Sequence, residues 1–369
     1  MRRKVLVCVG SRANWSSAEP ICRAVLARDD LRLSIVCFGS AVLDRYGQIV
    51  DEVRALHDDV YTVATLVEGD HAAMCTTAGI TLTQLGALYG TLRPEVVVII
   101  GDRYEMLPAA YAATLQNIRI CHTMGGEISG TVDEATRHSI TKLSQIHCVA
   151  TTRARERVIA MGEDPARVYQ TGCPRIDGVR EACSTDGPRL PRSVLVGLHP
   201  VTTESVENNR TLAQATLEGA AQAAKELALP LHVVWPNPDA YRDVIARVMR
   251  DFPGLHMHRK LDPATYARSM RDCAVMIGNS SSGIREGSWL GTPYVLVGNR
   301  QRGRELANNA LEVRALADDV AFYAKEQAND AKRGLITRSD LYGSGHASER
   351  IAAVLAGELP GVQKTWRAA

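Results

Sequence analysis

The sequence predicts an α/β protein built from two doubly wound parallel sheets, and three observations carry that expectation. Short apolar runs alternate with helical periodicity along most of the chain, the pattern of strands each followed by a crossover helix. One run, Val96-Val97-Val98-Ile99-Ile100, is apolar at every position, as a strand covered on both faces requires. The alternation stops at Ser184-Thr185-Asp186-Gly187-Pro188-Arg189-Leu190-Pro191 and then restarts. That Pro/Gly-rich stretch without periodicity reads as a linker. The expected organisation is a first half over 1–183, a linker over 184–192, a second half over 193–345 and a final helix over 346–369 that packs back on the first half.

The 369 residues suffice for two domains of ordinary size, and 46% hydrophobic against 23% charged residues is a soluble globular balance. Net charge is +2 from 43 basic and 41 acidic residues, so nothing draws the chain as a whole toward nucleic acid or anionic lipid. The nine cysteines occur singly, and Cys8, Cys37, Cys121 and Cys148 sit in apolar runs, as reduced core thiols do. Their spacing offers no metal site. Val5–Val9 is too short for a signal segment, and no apolar run approaches a membrane span. A cytoplasmic protein is expected.

Lys4–Val9 reads as a strand, Gly10–Ser17 as a polar loop and Ala18–Ala27 as a helix. A strand, a small polar loop and a helix start place backbone N–H groups where a phosphate can sit. The stretch lacks both GxGxxG and the lysine of a P-loop. Leu33–Phe38 is the next strand, with Gly39-Ser40 opening a helix. His71–Tyr89 has helical spacing, Tyr104–Gln116 follows the apolar run as a helix, and Ile118–Cys121 is a further strand.

Gly101–Lys142 is the chemically dense stretch. It gathers Asp102, Arg103, Glu105, His122, Glu127, Asp133, Glu134, Arg137, His138 and Lys142 between Gly-rich turns, just beyond a buried strand. Ligands of open α/β sheets collect at such strand ends. Thr131-Val132-Asp133-Glu134 matches a capping box, so a helix is expected from there to Ile146. Its apolar stripe would be Val132, Ala135, Ile140, Leu143 and Ile146, with Glu134, His138 and Lys142 spaced away from it. A solvated face laced with ion pairs is the alternative to a catalytic face.

The second half continues with strands at Ser193–Leu198, Leu231–Trp235, Ala274–Ile277 and Pro293–Val297 and helices at Glu207–Ala228, Ala240–Arg250 and Ala264–Arg271. After the third of these strands comes Gly278-Asn279-Ser280-Ser281-Ser282-Gly283, which enters a helix. One helix cap needs one hydroxyl, so three serines favour anion binding over capping alone. Glu286, a turn further on, is placed to accept hydrogen bonds from ribose hydroxyls. Gly298–Arg304 is a basic loop at the next strand end.

Taken together and in order, Gly10-Ser11-Arg12-Ala13, Gly101-Asp102-Arg103-Tyr104-Glu105, Gly125-Gly126-Glu127, Asp133-Glu134 with Arg137-His138, His199-Pro200-Val201-Thr202-Thr203-Glu204, Pro236-Asn237, Gly278–Gly283 and Arg300-Gln301 resemble the hydrolysing UDP-N-acetylglucosamine 2-epimerases of sialic-acid pathways over residues 4–310. The resemblance implies two Rossmann-like domains facing a cleft, the B-type glycosyltransferase architecture, and a homodimer. It implies that Arg12, Asn14, Ser16, Arg103, His199, Asn237, Ser280, Ser281, Glu286 and Arg300 bind the UDP-sugar. It also implies acid–base duty for Asp102, Glu127 and Asp133, with His138 in the same site. The implied products are UDP and N-acetylmannosamine, with no metal or redox cofactor and neither nucleic acid nor membrane as partner.

The chemistry accounts for that choice of residues. The proton on sugar C2 has no adjacent carbonyl, so it leaves only as the C1–O bond to the diphosphate breaks. A carboxylate takes the proton while cations and helix N-termini stabilise departing UDP. A glycal with a C1–C2 double bond remains, and water adds across it. The chain departs from the family at Asn14, where Asp or Glu is usual, and at Met124, where many members have Glu or His. A non-hydrolysing epimerase, a B-type glycosyltransferase and a catalytically silent UDP-sugar-binding protein are the alternatives.

Overall fold

The computed structural model describes residues 2–43, 49–129, 132–236, 239–259 and 261–364. The chain divides into two compact units. The first comprises Met1–Glu127, Asp133–Asp177 and Gly343–Ala369, and the second Ile128–Val132 and Gly178–Tyr342.

The first unit is built on a seven-stranded sheet of β1 (Arg3–Val9), β2 (Leu31–Cys37), β3 (Val60–Thr62), β4 (Val96–Ile100), β5 (Arg119–Thr123), β6 (Ile146–Val149) and β7 (Val168–Gln170). Every pairing is parallel, in the spatial order β3-β2-β1-β4-β5-β6-β7. Between the strands run α1 (Arg12–Leu26), α2 (Ile49–Leu56), α3 (His71–Leu92), α4 (Met106–Leu115), α5 (Asp133–Leu143) and α6 (Thr152–Ala160), and α7 (Pro174–Ser184) follows β7. Alternate residues of the central strands enter two cores. Val5, Val7, Val96 and Val98 share one with Ile21 and Val25 of α1, while Leu6, Cys8, Val97 and Ile99 share the other with Ala109 and Ala113 of α4.

The second unit carries six parallel strands, β8 (Val194–Gly197), β9 (Leu231–Val234), β10 (His256–His258), β11 (Val275–Gly278), β12 (Tyr294–Val297) and β13 (Ala310–Val313), in the order β10-β9-β8-β11-β12-β13. Its helices are α8 (Val206–Leu227), α9 (Arg242–Asp251), α10 (Pro263–Asp272), α11 (Ser281–Leu290) and α12 (Ala317–Lys332). Val196, Ile277 and Val295 pack with Leu217, Ala220 and Val320 in one core.

The last helix, α13 (Ala347–Ala356), belongs to the first unit, where Ile351, Ala352 and Leu355 complete the core around α1. Asp177 caps it from a distance of 170 positions, accepting from Ala347 N at 3.0 Å and from Ser348 N at 2.6 Å. In each sheet the order of strands reverses once, at β1/β4 and at β8/β11. These are the positions where doubly wound sheets open a crevice at their carboxyl ends.

Three local expectations are corrected. Gly10–Ser17 is not a loop. Ser11 is extended, and its hydroxyl accepts from Asn14 N at 3.2 Å, so the cap starts α1 at Arg12. Gly39-Ser40 opens a four-residue 3₁₀ turn rather than an α-helix. The helix expected to run to Ile146 ends at Leu143, and Ile146 begins β6. Of its expected apolar stripe Ile140 is buried, but Val132 is 47% exposed and Ala135 is exposed, whereas the polar Thr136, Arg137 and Thr141 are buried. Thr131, the expected cap, lies outside the described residues. Cys8, Cys37, Cys121 and Cys148 are buried free thiols. Among the described residues no helix is long and apolar enough to cross a membrane.

Candidate functional site

At the β1/β4 reversal the first turn of α1 stands beside the loop that leaves β4. Asn14 joins the two strand ends. Its Oδ1 accepts from Gly10 N at 3.3 Å and its Nδ2 donates to Ile100 O at 3.0 Å. The side chain is buried, so both bonds offset a desolvation cost. Arg12 opens the helix half-buried, and the Ser16 hydroxyl donates to Ala13 O at 2.9 Å. Beyond β4, Arg103 Nε donates to Oε1 of the buried Glu105 at 2.6 Å.

Asp102 is held by α5. Arg137 is fully buried and spends its guanidinium on two motifs at once. Nε and Nη2 both bond Asp102 Oδ2, the first at 2.9 Å, and Nη1 donates to Glu127 O at 2.7 Å. A buried guanidinium is tolerated only when paired in this way. The Asp102 side chain stays 20% exposed, so its carboxylate faces the strand-end surface while the cation sits behind it.

His122 on β5 steadies the same corner. Burial pulls its pKa from the ordinary 6.5 down to about 4, against the opposing hydrogen bond to Gly101, so the ring is neutral near pH 7. Its Nε2–H donates to Gly101 O at 2.9 Å, and its Nδ1 accepts from the Thr141 hydroxyl at 3.1 Å. The carbonyl just before Asp102 is thereby tied to α5.

Glu127 is 3% exposed and is delivered by a turn with little freedom. Gly126 has φ 75°, and a Cβ there would lie 2.3 Å from Ala154 O, so glycine is required. Met124 adopts φ 63°, a left-handed conformation costing a non-glycine residue about 1 kcal/mol. It is buried, with its sulfur 3.7 Å from that of Cys173. Asp133 is the first residue of α5, and Glu134 Oε1 lies 3.4 Å from His138 Nε2 one turn on. His138 is 32% exposed.

The second unit repeats the geometry with other groups. At the β8/β11 reversal Asn279 bonds both backbone atoms of His199, accepting from its N–H and donating to its carbonyl, each at 2.8 Å. Gly278 has φ 134°, and a Cβ on it would meet Gly197 O at 2.2 Å, so only glycine lets these strands end so close together. Ser280 caps α11. Its hydroxyl lies 2.8 Å from that of Ser282, which lies 2.9 Å from the Tyr266 hydroxyl. Ser281 is half-buried at the first position of the helix, and Glu286 is buried within it. Arg300 donates from Nε to Pro200 O at 3.3 Å and from Nη1 to Asn279 O at 3.2 Å. Glu204 links Asn208 at 2.6 Å and Asn299 at 2.9 Å. The loops leaving β8, β11 and β12 are thus one connected network, headed by the N–H groups of a helix start that suits an anion.

Of the expected site residues, Asp102 and Glu127 meet at Arg137, and Asp133 and His138 share its helix. Arg12, Asn14 and Ser16 share the first turns of α1, and Arg103 follows Asp102. His199, Ser280, Ser281, Glu286 and Arg300 group in the second unit. Asn237 lies outside the described residues. The sequence reading assigned no role to Arg137, His122, Thr141 or Asn279. For Arg137 and Thr141 a signal was present in their i, i+4 spacing, one turn apart on the face that turns inward.

The family described as UDP-N-acetylglucosamine 2-epimerase matches residues 23–356. The UDP-N,N'-diacetylbacillosamine 2-epimerase (hydrolyzing) of Legionella pneumophila is 31% identical over 96% of both chains. The UDP-N-acetylglucosamine 2-epimerase of Neisseria meningitidis is 29% identical over 96% of this chain and 95% of its own. The solved structure of the UDP-GlcNAc 2-epimerase of Methanocaldococcus jannaschii, in complex with UDP-GlcNAc and UDP, superposes with a TM-score of 0.82 at 16% identity, covering 95% of this chain and 99% of the other. The shared fold is the B-type glycosyltransferase one.

Proposed function

The chain belongs to the UDP-N-acetylglucosamine 2-epimerase family, and on that premise we propose that it is a hydrolysing 2-epimerase that releases UDP and a free 2-acetamido sugar. The observation that carries the reading is the Arg137 clamp. It sets a carboxylate, Asp102, at a strand end and fixes the backbone of a second acidic residue, Glu127. Elimination followed by hydration needs at least two proton transfers at C2 and one at the attacking water. A site with Asp102, Glu127, Asp133 and His138 has enough groups to share them.

In this reading a carboxylate takes the C2 proton while the C1–O bond breaks and UDP leaves with the bonding electrons. Water then supplies its oxygen to C1, and a proton returns to C2 on the opposite face. Ser280, Ser281, the start of α11, His199 and Arg300 hold the diphosphate, and Arg12, Ser16 and Arg103 are kept among the substrate contacts on the resemblance alone. Glu286 accepts from the ribose. Asn237 is kept among the nucleotide contacts on the resemblance alone. The departures at Asn14 and Met124 serve the backbone, Asn14 by joining β1 to β4 and Met124 by filling the core beside Cys173. Each departure thus has a structural role of its own. A homodimer belongs to the same proposal, with light scattering as its check.

Incubation with UDP-GlcNAc in D2O tests the reading. Free N-acetylmannosamine carrying deuterium at C2 is expected. Labelled UDP-N-acetylmannosamine with no free sugar would assign the chain to the non-hydrolysing reaction, which the name of the Neisseria relative leaves open. The Legionella relative acts, by its name, on UDP-N,N'-diacetylbacillosamine. That sugar nucleotide is therefore the second substrate to assay.

A further inference from the structure

The segment after α13 crosses the edge of the first sheet opposite the strand ends that carry the site. Arg3, Arg119 and Gln145 stand at or just before the starts of β1, β5 and β6. They donate to the carbonyls of Gly357 at 2.6 Å, Pro360 at 2.6 Å and Val362 at 2.9 Å. The described part of the segment is thus laid down by its backbone, and at Lys364 it adds a part-buried side-chain contact. The Lys364 ammonium reaches the carbonyl end of α5, donating to Ser144 O at 2.7 Å and Lys142 O at 2.9 Å, with Thr141 O at 3.4 Å. It also lies 2.5 Å from Glu163 Oε2.

Glu163 is a buried carboxylate shared by three elements. Lys142 of α5 approaches Oε1 at 2.7 Å, and His147 of β6 and Lys364 of the tail approach Oε2. Burial raises its pKa, but the hydrogen bonds from His147, Lys142 and Lys364 together outweigh that and bring it to about 2. Lys364 is exposed as a whole residue, yet its side chain is only 27% exposed. Ordering a lysine in this way costs side-chain entropy, about 2 kcal/mol at most, which a surface ion pair rarely offsets. Three carbonyls at the negative end of a helix and a buried carboxylate form a far stronger acceptor set.

The helix gripped at this end carries Asp133, Glu134, Arg137 and His138 toward its other end. It is 11 residues long, about 16 Å of rigid rod. Thr141, whose carbonyl faces Lys364, is the residue whose hydroxyl meets His122, and Arg137 one turn back clamps Asp102. We infer that Lys364 is a positioning residue for the acid–base site, holding α5 in place from its far end through Glu163 and the carbonyls of its last turn. The inference rests on the proposed role of the Asp102–Arg137 corner.

Lys364→Met and Lys364→Arg in the full chain, followed by amide hydrogen exchange and by steady-state kinetics with UDP-GlcNAc, test it. Lys364→Met is expected to speed exchange in α5 about tenfold and to lower kcat about tenfold, with KM within about twofold. Lys364→Arg restores both, because a guanidinium also donates to carbonyls and a carboxylate. Lys325→Met, which removes a surface pair with Glu226 in the second unit, leaves both unchanged. Unaltered exchange in α5 overturns the inference, as does faster exchange with unchanged kcat. Loss of protection spread through β1 and β4 also overturns it, because Lys364 would then be a general stabiliser. If the unaltered protein turns over neither candidate sugar nucleotide, the functional reading fails, while the exchange comparison still decides whether the tail holds α5.

Discussion

At the carboxyl ends of the first sheet the side chains are charge pairs and titratable rings: Asp102 against Arg137, Arg103 against Glu105, and His122 between Gly101 and Thr141. At the matching ends of the second sheet Asn279, Ser280, Ser282 and Tyr266 form a lattice of amides and hydroxyls around a helix start, and Arg300 is tied to backbone carbonyls. Both units use one winding rule and one reversal of strand order. The contrast teaches that topology fixes where chemistry is done, whereas the few residues beyond each central strand fix which chemistry it is. On the proposed reading, the first unit moves protons and the second holds the leaving group.

Substitutions can break that division. The largest effect is expected for Asp102→Asn, with kcat falling about a thousandfold while UDP affinity in calorimetry changes less than about threefold. Equal losses in both would make Asp102 a structural residue and erase the contrast. Next comes His122. Its folded pKa of about 4 lies below the ordinary 6.5, so from pH 6.5 down to pH 4 the unfolded chain binds a proton that the fold refuses. Stability therefore falls as pH falls through that window, by about 3 kcal/mol from this group. His232 in the second unit is also lowered to about 4, by burial first and then by His258 and His256. Denaturation of His122→Gln across the same pH range should thus show a flatter slope with part of it retained. An unchanged slope would contradict the assignment.

Arg300→Ala sharpens the comparison from the other side. UDP affinity should weaken about thirtyfold, near 2 kcal/mol, with kcat at saturation little altered. Unchanged affinity would remove Arg300 from the ligand site. The smallest effect is expected for Asn14→Asp, which places a carboxylate against Ile100 O. A loss of about 1–2 kcal/mol in urea melts, with no gain in turnover, is the expected outcome. Faster turnover would show that the asparagine stands in for a missing titrating group.

The parts of the fold that could be read in the sequence are those covered on both faces. Val96–Ile100 coincides with β4 because all five residues are buried. The strands β3, β10 and β13 escaped notice because each is an edge strand with at most one buried residue, so no apolar run marks it. Periodicity misled at α5 for a related reason. A helix that turns Arg137 and Thr141 inward has its polar side where a hydrophobic pattern expects the core, and only the partners Asp102 and His122, far away in sequence, reveal why. The start of α1 was misplaced because serine and asparagine favour loops locally, whereas here Ser11 caps the helix and Asn14 spends its amide on strand ends.

The cap that Asp177 places on α13 has a bearing on synthesis. Ile351, Ala352 and Leu355 belong to the first hydrophobic core, yet they leave the ribosome after the whole of the second unit. Emerging nascent chain therefore presents the α1 flank bare, and the first unit cannot finish until the second has been made. A fragment truncated before Ala347 should be sticky and chaperone-dependent even though it keeps every strand of both sheets.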